Sequence, residues 1–184
     1  MKKESVIKKV VNQISGLFVP IINCLTAASI IKSALILLSQ VGIVSKYSGI
    51  YQIFYAAADG FFYFLPFFLA ITAAKQWKTD IFISLLIPVA MLYPDLVGIL
   101  ENGQSLSFLG LTVQPAIYHS GVIPVLLAVG MLHFIEKICD RFIHETIRGF
   151  MKPIVCALIV LPATFLLFGP MGSWIGDEIT GLFR

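Results

Sequence analysis

Charged residues are scarce in this sequence. Asp, Glu, Lys and Arg make up 12% of its 184 residues, whereas hydrophobic residues make up 58%. Soluble domains carry about 25% charged residues, so this chain has too few charges to form a surface solvated by water. Its mean hydropathy of +0.92 points the same way. The composition therefore predicts an integral membrane protein.

Sequence motifs of known chemistry are also missing. There is no Gly-rich phosphate loop and no nucleophile elbow. The three cysteines, Cys24, Cys139 and Cys156, lack paired spacing, so we interpret them as small apolar residues within helices. His133 and His144 show no ligand pairing and fit interfacial positions. We therefore expect no catalytic residue, cofactor, metal site or nucleic-acid partner.

The first residues, MKKESVIKKVVNQISG, place a basic segment before an apolar one, as signal peptides do. However, the apolar stretch that follows is long, and no small-residue cleavage site is evident. We interpret this stretch as a retained first membrane span.

Apolar stretches of roughly the 20 residues that a span needs occur five times. Prolines lie inside the second to fifth stretches, where each removes a backbone donor and kinks a helix. Neighbouring helices can satisfy the freed backbone groups. The predicted fold is therefore an all-α membrane protein of about five kinked transmembrane helices. The predicted spans are residues 14–38, 50–74, 81–100, 117–135 and 153–175.

Two connections are longer than turns. Residues 101–120 lack Lys and Arg, and the partial alternation in SLSFLGLTV predicts a small outer hairpin, with Asn102-Gly103 as a turn signal. In residues 133–152, apolar residues recur at helical spacing between charged ones. This pattern predicts an amphipathic helix along the cytoplasmic interface.

The positive charges alternate with the predicted spans. Of the 13 Lys and Arg residues, all but Lys32, Lys46 and Arg184 fall before the first span, between the second and third, or between the fourth and fifth. Cytoplasmic loops carry the excess of Lys and Arg. We therefore predict a cytoplasmic N-terminus and a C-terminus outside the cell.

Polar residues in or beside the spans are candidates for a structural role, because a charge in lipid faces a cavity or a partner. Lys32 either snorkels to the outer interface or finds a polar partner. Asp59 makes either a buried hydrogen bond or an ion pair with Lys32. Asp95 lies near an interface, or faces protein or water, and His119 fits an interfacial belt.

Four blocks of the sequence resemble a known family in consecutive order. They are SGLFVPIINCLTAASIIKSALILL, YQIFYAAADGFFYFLPFFLAITAAKQWKTDIFISLLIPVAMLYP, YHSGVIPVLLAVGMLHFIEKICDRFIHETIRGFMKPI and LPATFLLFGPMGSWIG. They are similar to the enzyme IIC membrane component of bacterial sugar phosphotransferase systems, in the beta-glucoside branch of the glucose superfamily. The resemblance covers nearly the whole chain.

The resemblance implies a ten-helix sugar translocator of the bacterial cell membrane. Its first five helices form a dimerising scaffold, and a phosphocysteine on the IIB partner, supplied through IIA, phosphorylates the sugar. The sugar-binding His and the Gly-Ile-Thr-Glu-Pro motif belong to the second half and do not occur in this sequence, nor does a IIB cysteine motif. We therefore expect residues 1–184 to be the N-terminal scaffold half, from a truncated gene, a split gene or a fragment.

Two functions follow from this resemblance. The first is a permease component that takes part in uptake and phosphorylation of a sugar, a beta-glucoside by resemblance, but that does not transport alone. Such proteins are protein-N-phosphohistidine–sugar phosphotransferases. The alternative is a non-transporting membrane scaffold that dimerises or pairs with a separately encoded second half. Arg148, in the cytoplasmic Ile-Arg-Gly-Phe block, either lies near the IIB docking face or anchors a loop by its charge.

Overall fold

The computed structural model describes residue 8 and residues 12–102, 106–113 and 121–171. Most of these residues are helical. By their internal contacts they form two compact units, Met1–Leu65 and Pro66–Arg184, which are described separately below. The elements are α1 (Asn12–Gln40), α2 (Gly49–Tyr63), α3 (Leu65–Trp77), α4 (Ile81–Met91), α5 (Pro94–Glu101), β1 (Leu106–Phe108), β2 (Leu111–Val113), α6 (Val122–Phe142) and α7 (Glu145–Met171).

The first unit is a helical hairpin of α1 packed against α2. The amides of Gly42 and Ile43 donate to the carbonyls of Ser39 and Leu38, with N···O distances of 3.2 and 3.0 Å. This is a Schellman motif, and Gly42 provides the required positive φ of +80°. Ser48 then caps α2, because its hydroxyl accepts a hydrogen bond from the Tyr51 amide. The two helices are therefore joined by a tightly defined connection.

The second unit contains α3 to α7 and a two-stranded sheet. Asp80 caps α4 by accepting hydrogen bonds from the amides of Phe82 and Ile83. Helices α4 and α5 are bent by 46° at a short break, and Pro94 occupies the first position of α5, where its missing N–H costs nothing. The core is apolar, and its large buried side chains include Leu69, Ile87, Val125, Val129, Leu132 and Val160.

Strands β1 and β2 pair antiparallel, with Leu106 opposite Val113 and Phe108 opposite Leu111. The two turn residues, Leu109 and Gly110, have φ values of +50° and +83°. Positive φ at both central residues is the type I′ arrangement that suits the twist of a hairpin. The predicted hairpin is confirmed, but its turn lies at Leu109-Gly110, and Asn102 instead caps the C-terminal end of α5.

The helices agree with the predicted all-α membrane fold. Three of the helices in the described part of the chain are long and apolar enough to cross a bilayer, namely α1, α6 and α7. The number rises to five if α2 with α3, and α4 with α5, each count as one broken span. Large apolar side chains on these helices are exposed, as lipid-facing residues are, and they include Ile30, Ile53 and Leu158.

Two sequence predictions differ from the structure in detail. The break in the second predicted span falls at Phe64, and Pro66 lies in the first turn of α3, a position that tolerates proline. Residues 133–152 do not form a separate interfacial helix. They are divided between the end of α6 and the start of α7, with a break at Ile143 and His144.

Candidate functional site

An ion pair lies within the first unit, between α1 and α2. The Lys32 ammonium is 2.7 Å from Oδ1 of Asp59. Lys32 lies eight residues before the end of α1 and Asp59 ten residues after the start of α2, which places the pair about 12–15 Å along each helix from those ends. Of the alternatives for Asp59, the structure therefore has the pair with Lys32.

Aromatic rings flank the Lys32 side of this ion pair. Its ammonium lies 5.7 Å from the centroid of the Tyr55 ring and 5.5 Å from that of Phe62. Both distances are within the range of a cation–π attraction. The side chains of Lys32 and Asp59 are nevertheless 32% and 45% exposed. The pair joins two helices and leaves part of its polar surface open to another molecule.

A second polar cluster lies in the second unit and centres on Glu136 of α6, which is only 5% exposed. Both carboxylate oxygens accept from the Asp80 amide, at 3.1 and 3.2 Å. The Lys152 ammonium of α7 lies 3.9 Å from Oε2. Glu136 therefore ties the residue before α4 to α6, and Lys152 adds α7 to the same cluster.

The Glu136 cluster extends to the surface through Asp140. Lys152 donates to both oxygens of Asp140, at 3.1 and 3.2 Å. Arg148 lies 4.0 Å from Asp140, and its Nε and Nη2 donate to the carbonyl of Ile143, at 3.3 and 3.1 Å. Arg148 thus satisfies a carbonyl just beyond the end of α6, where a cation is favoured.

The sequence did not single out Glu136. Its charge was assigned to the polar face of an interfacial helix. The spacing of apolar and charged residues in the sequence is the same whether that polar face contacts water or another helix. Thr79 and Ser84, which hydrogen-bond to each other nearby and are buried, provide no stronger signal. Only the packing of α6 beside the start of α4 distinguishes the two cases.

The remaining candidates are separate from these clusters. Asp95 is exposed in the first turn of α5, where the helix dipole stabilises its negative charge. His144 caps α7, because its Nδ1 accepts from the Thr146 amide. His119 lies outside the described residues.

Cys139 and Cys156 are buried free thiols. In the described ranges, no three His, Cys, Asp or Glu side chains come together as metal ligands.

The second unit also contains a cavity, here called the hairpin cavity. Its volume is about 170 Å³, and its walls come from α5, the two strands and α7. Its lining side chains are all apolar: Leu96, Leu106, Phe108, Val113, Leu161, Pro162, Phe165 and Leu166.

Comparisons with known proteins identify the family. The model of the family described as "Phosphotransferase system, EIIC" matches residues 14–184. The beta-glucoside-specific EIIBCA component of Dickeya chrysanthemi is 34% identical, over 100% of this chain and 30% of its own length. The corresponding component of Bacillus subtilis is 36% identical, over 97% and 29%. The arbutin-, cellobiose-, and salicin-specific EIIBC component of Escherichia coli is 29% identical, over 94% and 36%.

The chain spans about a third of the length of these curated relatives. No solved structure matches it. The family match extends from the first membrane helix through all the helices described above, so the chain belongs to the EIIC family of the phosphotransferase system.

Proposed function

We propose that this chain is the membrane permease component of a phosphoenolpyruvate-dependent sugar phosphotransferase system. The observation that carries the proposal is the EIIC family match over residues 14–184, together with helices that are able to span a membrane. In this role the chain takes part in the uptake and phosphorylation of a sugar by IIB and IIA components. Their involvement is supported by relatives named EIIBCA and EIIBC.

A beta-glucoside is the proposed substrate. Relatives specific for beta-glucosides are 31% to 36% identical to this chain, whereas a glucose-specific relative is 30% identical and a sucrose-specific one is 26% identical. The sequence is thus more similar to the beta-glucoside components than to those for the other two sugars.

Within such a permease, residues 1–184 are proposed to act as the scaffold, and the sugar-binding residues come from further EIIC sequence. The support for this division is the family resemblance, which implies that the sugar-binding motif follows the first five helices.

A reconstitution experiment tests the division. Vesicles containing this chain receive phosphoenolpyruvate, the soluble phosphotransfer proteins and the IIA and IIB domains of the Bacillus subtilis relative, and formation of labelled salicin phosphate is measured. We expect no product from this chain alone, and product when the rest of the relative's EIIC is co-expressed as a second polypeptide. The control contains that second polypeptide alone. Product from this chain alone would overturn the scaffold assignment.

The alternative function is a non-transporting scaffold that forms a homodimer or binds a separately encoded second half. The partly exposed Lys32–Asp59 pair favours assembly with another protein, because exposed charge is costly in lipid. In the same vesicles, copurification of the second polypeptide without sugar phosphorylation would favour this function. Crosslinking through a single cysteine placed on α2 measures the homodimer.

A further inference from the structure

The hairpin cavity has a defined construction. Leu106 and Phe108 alternate along β1 and therefore share one face of the hairpin. Val113, opposite Leu106, is only 1% exposed. On the other side, α7 changes to a π-helical segment at Thr164–Phe168, which provides Phe165 and Leu166. Single π-helical turns within α-helices occur frequently at functional sites.

The chemistry of the lining limits what the cavity can hold. Among the described residues, no polar side chain lines it, so the hydroxyls of a sugar ring would lose their hydrogen bonds to water without replacement from these residues. The occupant must therefore be apolar and uncharged.

The size of the cavity narrows the choice further. Its volume of about 170 Å³ is close to the roughly 150 Å³ of an engineered apolar cavity that binds benzene. A space of this volume can hold a whole aromatic ring but only part of a lipid tail. Phe108 and Phe165 add ring faces and edges, with which an aromatic guest makes favourable offset or edge contacts.

We propose that the hairpin cavity is a binding site for a single uncharged aromatic ring. Such a ring comes either from the aglycone of an aryl glycoside or from a free arene dissolved in the bilayer. The first source rests on the proposed transport of beta-glucosides, whereas the second does not.

Photolabelling of the full chain in lipid nanodiscs tests this site. The probe is 3-trifluoromethyl-3-phenyldiazirine, and labelled residues are located by mass spectrometry of peptides. We expect saturable labelling of the cavity lining, at least fivefold reduced by benzene and unchanged by methyl beta-glucoside. Competition by phenyl beta-glucoside would identify the glycoside as a source of the ring, and competition by benzene without it would identify a free arene.

Two neighbouring substitutions provide a matched control. Leu166→Trp fills the cavity, whereas Leu167→Trp places the same side chain at a neighbouring position that is 56% exposed and does not line it. We expect only the first to abolish the saturable labelling. If Leu166→Trp does not fold, the competition series on the unaltered chain still decides the question.

Three results would overturn the proposal: labelling that does not saturate, equal loss in both Trp variants, or competition by dodecane as strong as that by benzene. The last would show a lipid-tail groove. None of these measurements requires sugar phosphorylation, so failure of this site is distinguishable from failure of the proposed transport function.

Discussion

Lys32 and Asp59 are 27 residues apart in the sequence and lie on two neighbouring helices. Both residues were recognisable from the sequence as charges within apolar stretches. Their contact was only one of several alternatives, because sequence gives a residue's approximate depth in a helix but not the rotation of one helix against another. The structure provides that rotation, and with it a 2.7 Å hydrogen bond supported by two aromatic rings.

The first prediction concerns Asp59. We expect Asp59→Leu to lower the melting temperature of the purified chain in detergent by several degrees, because it leaves the Lys32 ammonium without its acceptor. Asp59→Asn retains an oxygen acceptor and should cost less. The double variant Lys32→Met/Asp59→Leu should recover part of the loss, since neither charge remains. Equal melting temperatures for Asp59→Leu and Asp59→Asn would contradict a structural role for the pair.

The second prediction concerns Glu136. Replacing it with Leu removes both acceptors of the Asp80 amide, and a hydrogen bond to a charged group contributes about 1.5–3 kcal/mol. We expect Glu136→Leu to destabilise the chain by that order in denaturant titration, and Glu136→Gln to cost less because its amide oxygen still accepts. Glu145→Leu, at an exposed position of α7, serves as the control. An effect of Glu145→Leu as large as that of Glu136→Leu would argue against the buried cluster.

The hairpin and the segment 133–152 were each predicted from the spacing of apolar residues, and each differs in part from the prediction. Alternation in SLSFLGLTV correctly predicted the two strands. The turn was not predicted, because Leu-Gly is not a strong type I′ signal, whereas Asn-Gly is. In residues 133–152 the helical spacing was real, but the charged face meets α7 and the start of α4 through Glu136, Asp140 and Lys152 rather than water alone.

The third prediction follows from the hairpin turn. Leu109 adopts a φ of +50° and is 89% exposed, so its side chain gains little from packing. Leu109→Asn should slow amide hydrogen exchange of the turn and strands, because Asn tolerates left-handed backbone. Gly110→Val should accelerate it, because a β-branched residue is strained at the Gly110 φ of +83°. Unchanged exchange rates in both variants would show that the turn does not limit the hairpin.

For the whole molecule, composition and the spacing of apolar stretches were sufficient to predict a helical membrane protein with about five spans. The contacts that hold the second unit together were not predictable in the same way. These contacts depend on which faces of α4, α6 and α7 meet. Apolar side chains occur both on faces that contact lipid and on faces that contact another helix, so the sequence does not distinguish the two. Part of the hairpin cavity is likewise formed by a π-helical segment at Thr164–Phe168, which no pattern in the sequence predicted.

The fourth prediction concerns membrane orientation. In a variant whose native cysteines are replaced by Ala, Lys46→Cys should react with an impermeant maleimide added outside intact cells. Glu145→Cys should react only after the membrane is opened. Residue 145 lies in the segment between the fourth and fifth predicted spans, whose Lys and Arg residues predict a cytoplasmic location. Both positions are exposed. The reverse pattern of labelling would overturn the predicted orientation.

The ion pair of the first unit also bears on how the chain is made. When α1 reaches the translocon, Lys32 has no acceptor, because Asp59 is 27 residues behind it and is still within the ribosomal exit tunnel. A lone lysine disfavours release of that segment from the translocon into lipid. Once α2 follows, the two charges meet and the unfavourable segment becomes part of a hydrogen-bonded pair. The first two helices should therefore partition into the bilayer together, as one biosynthetic unit.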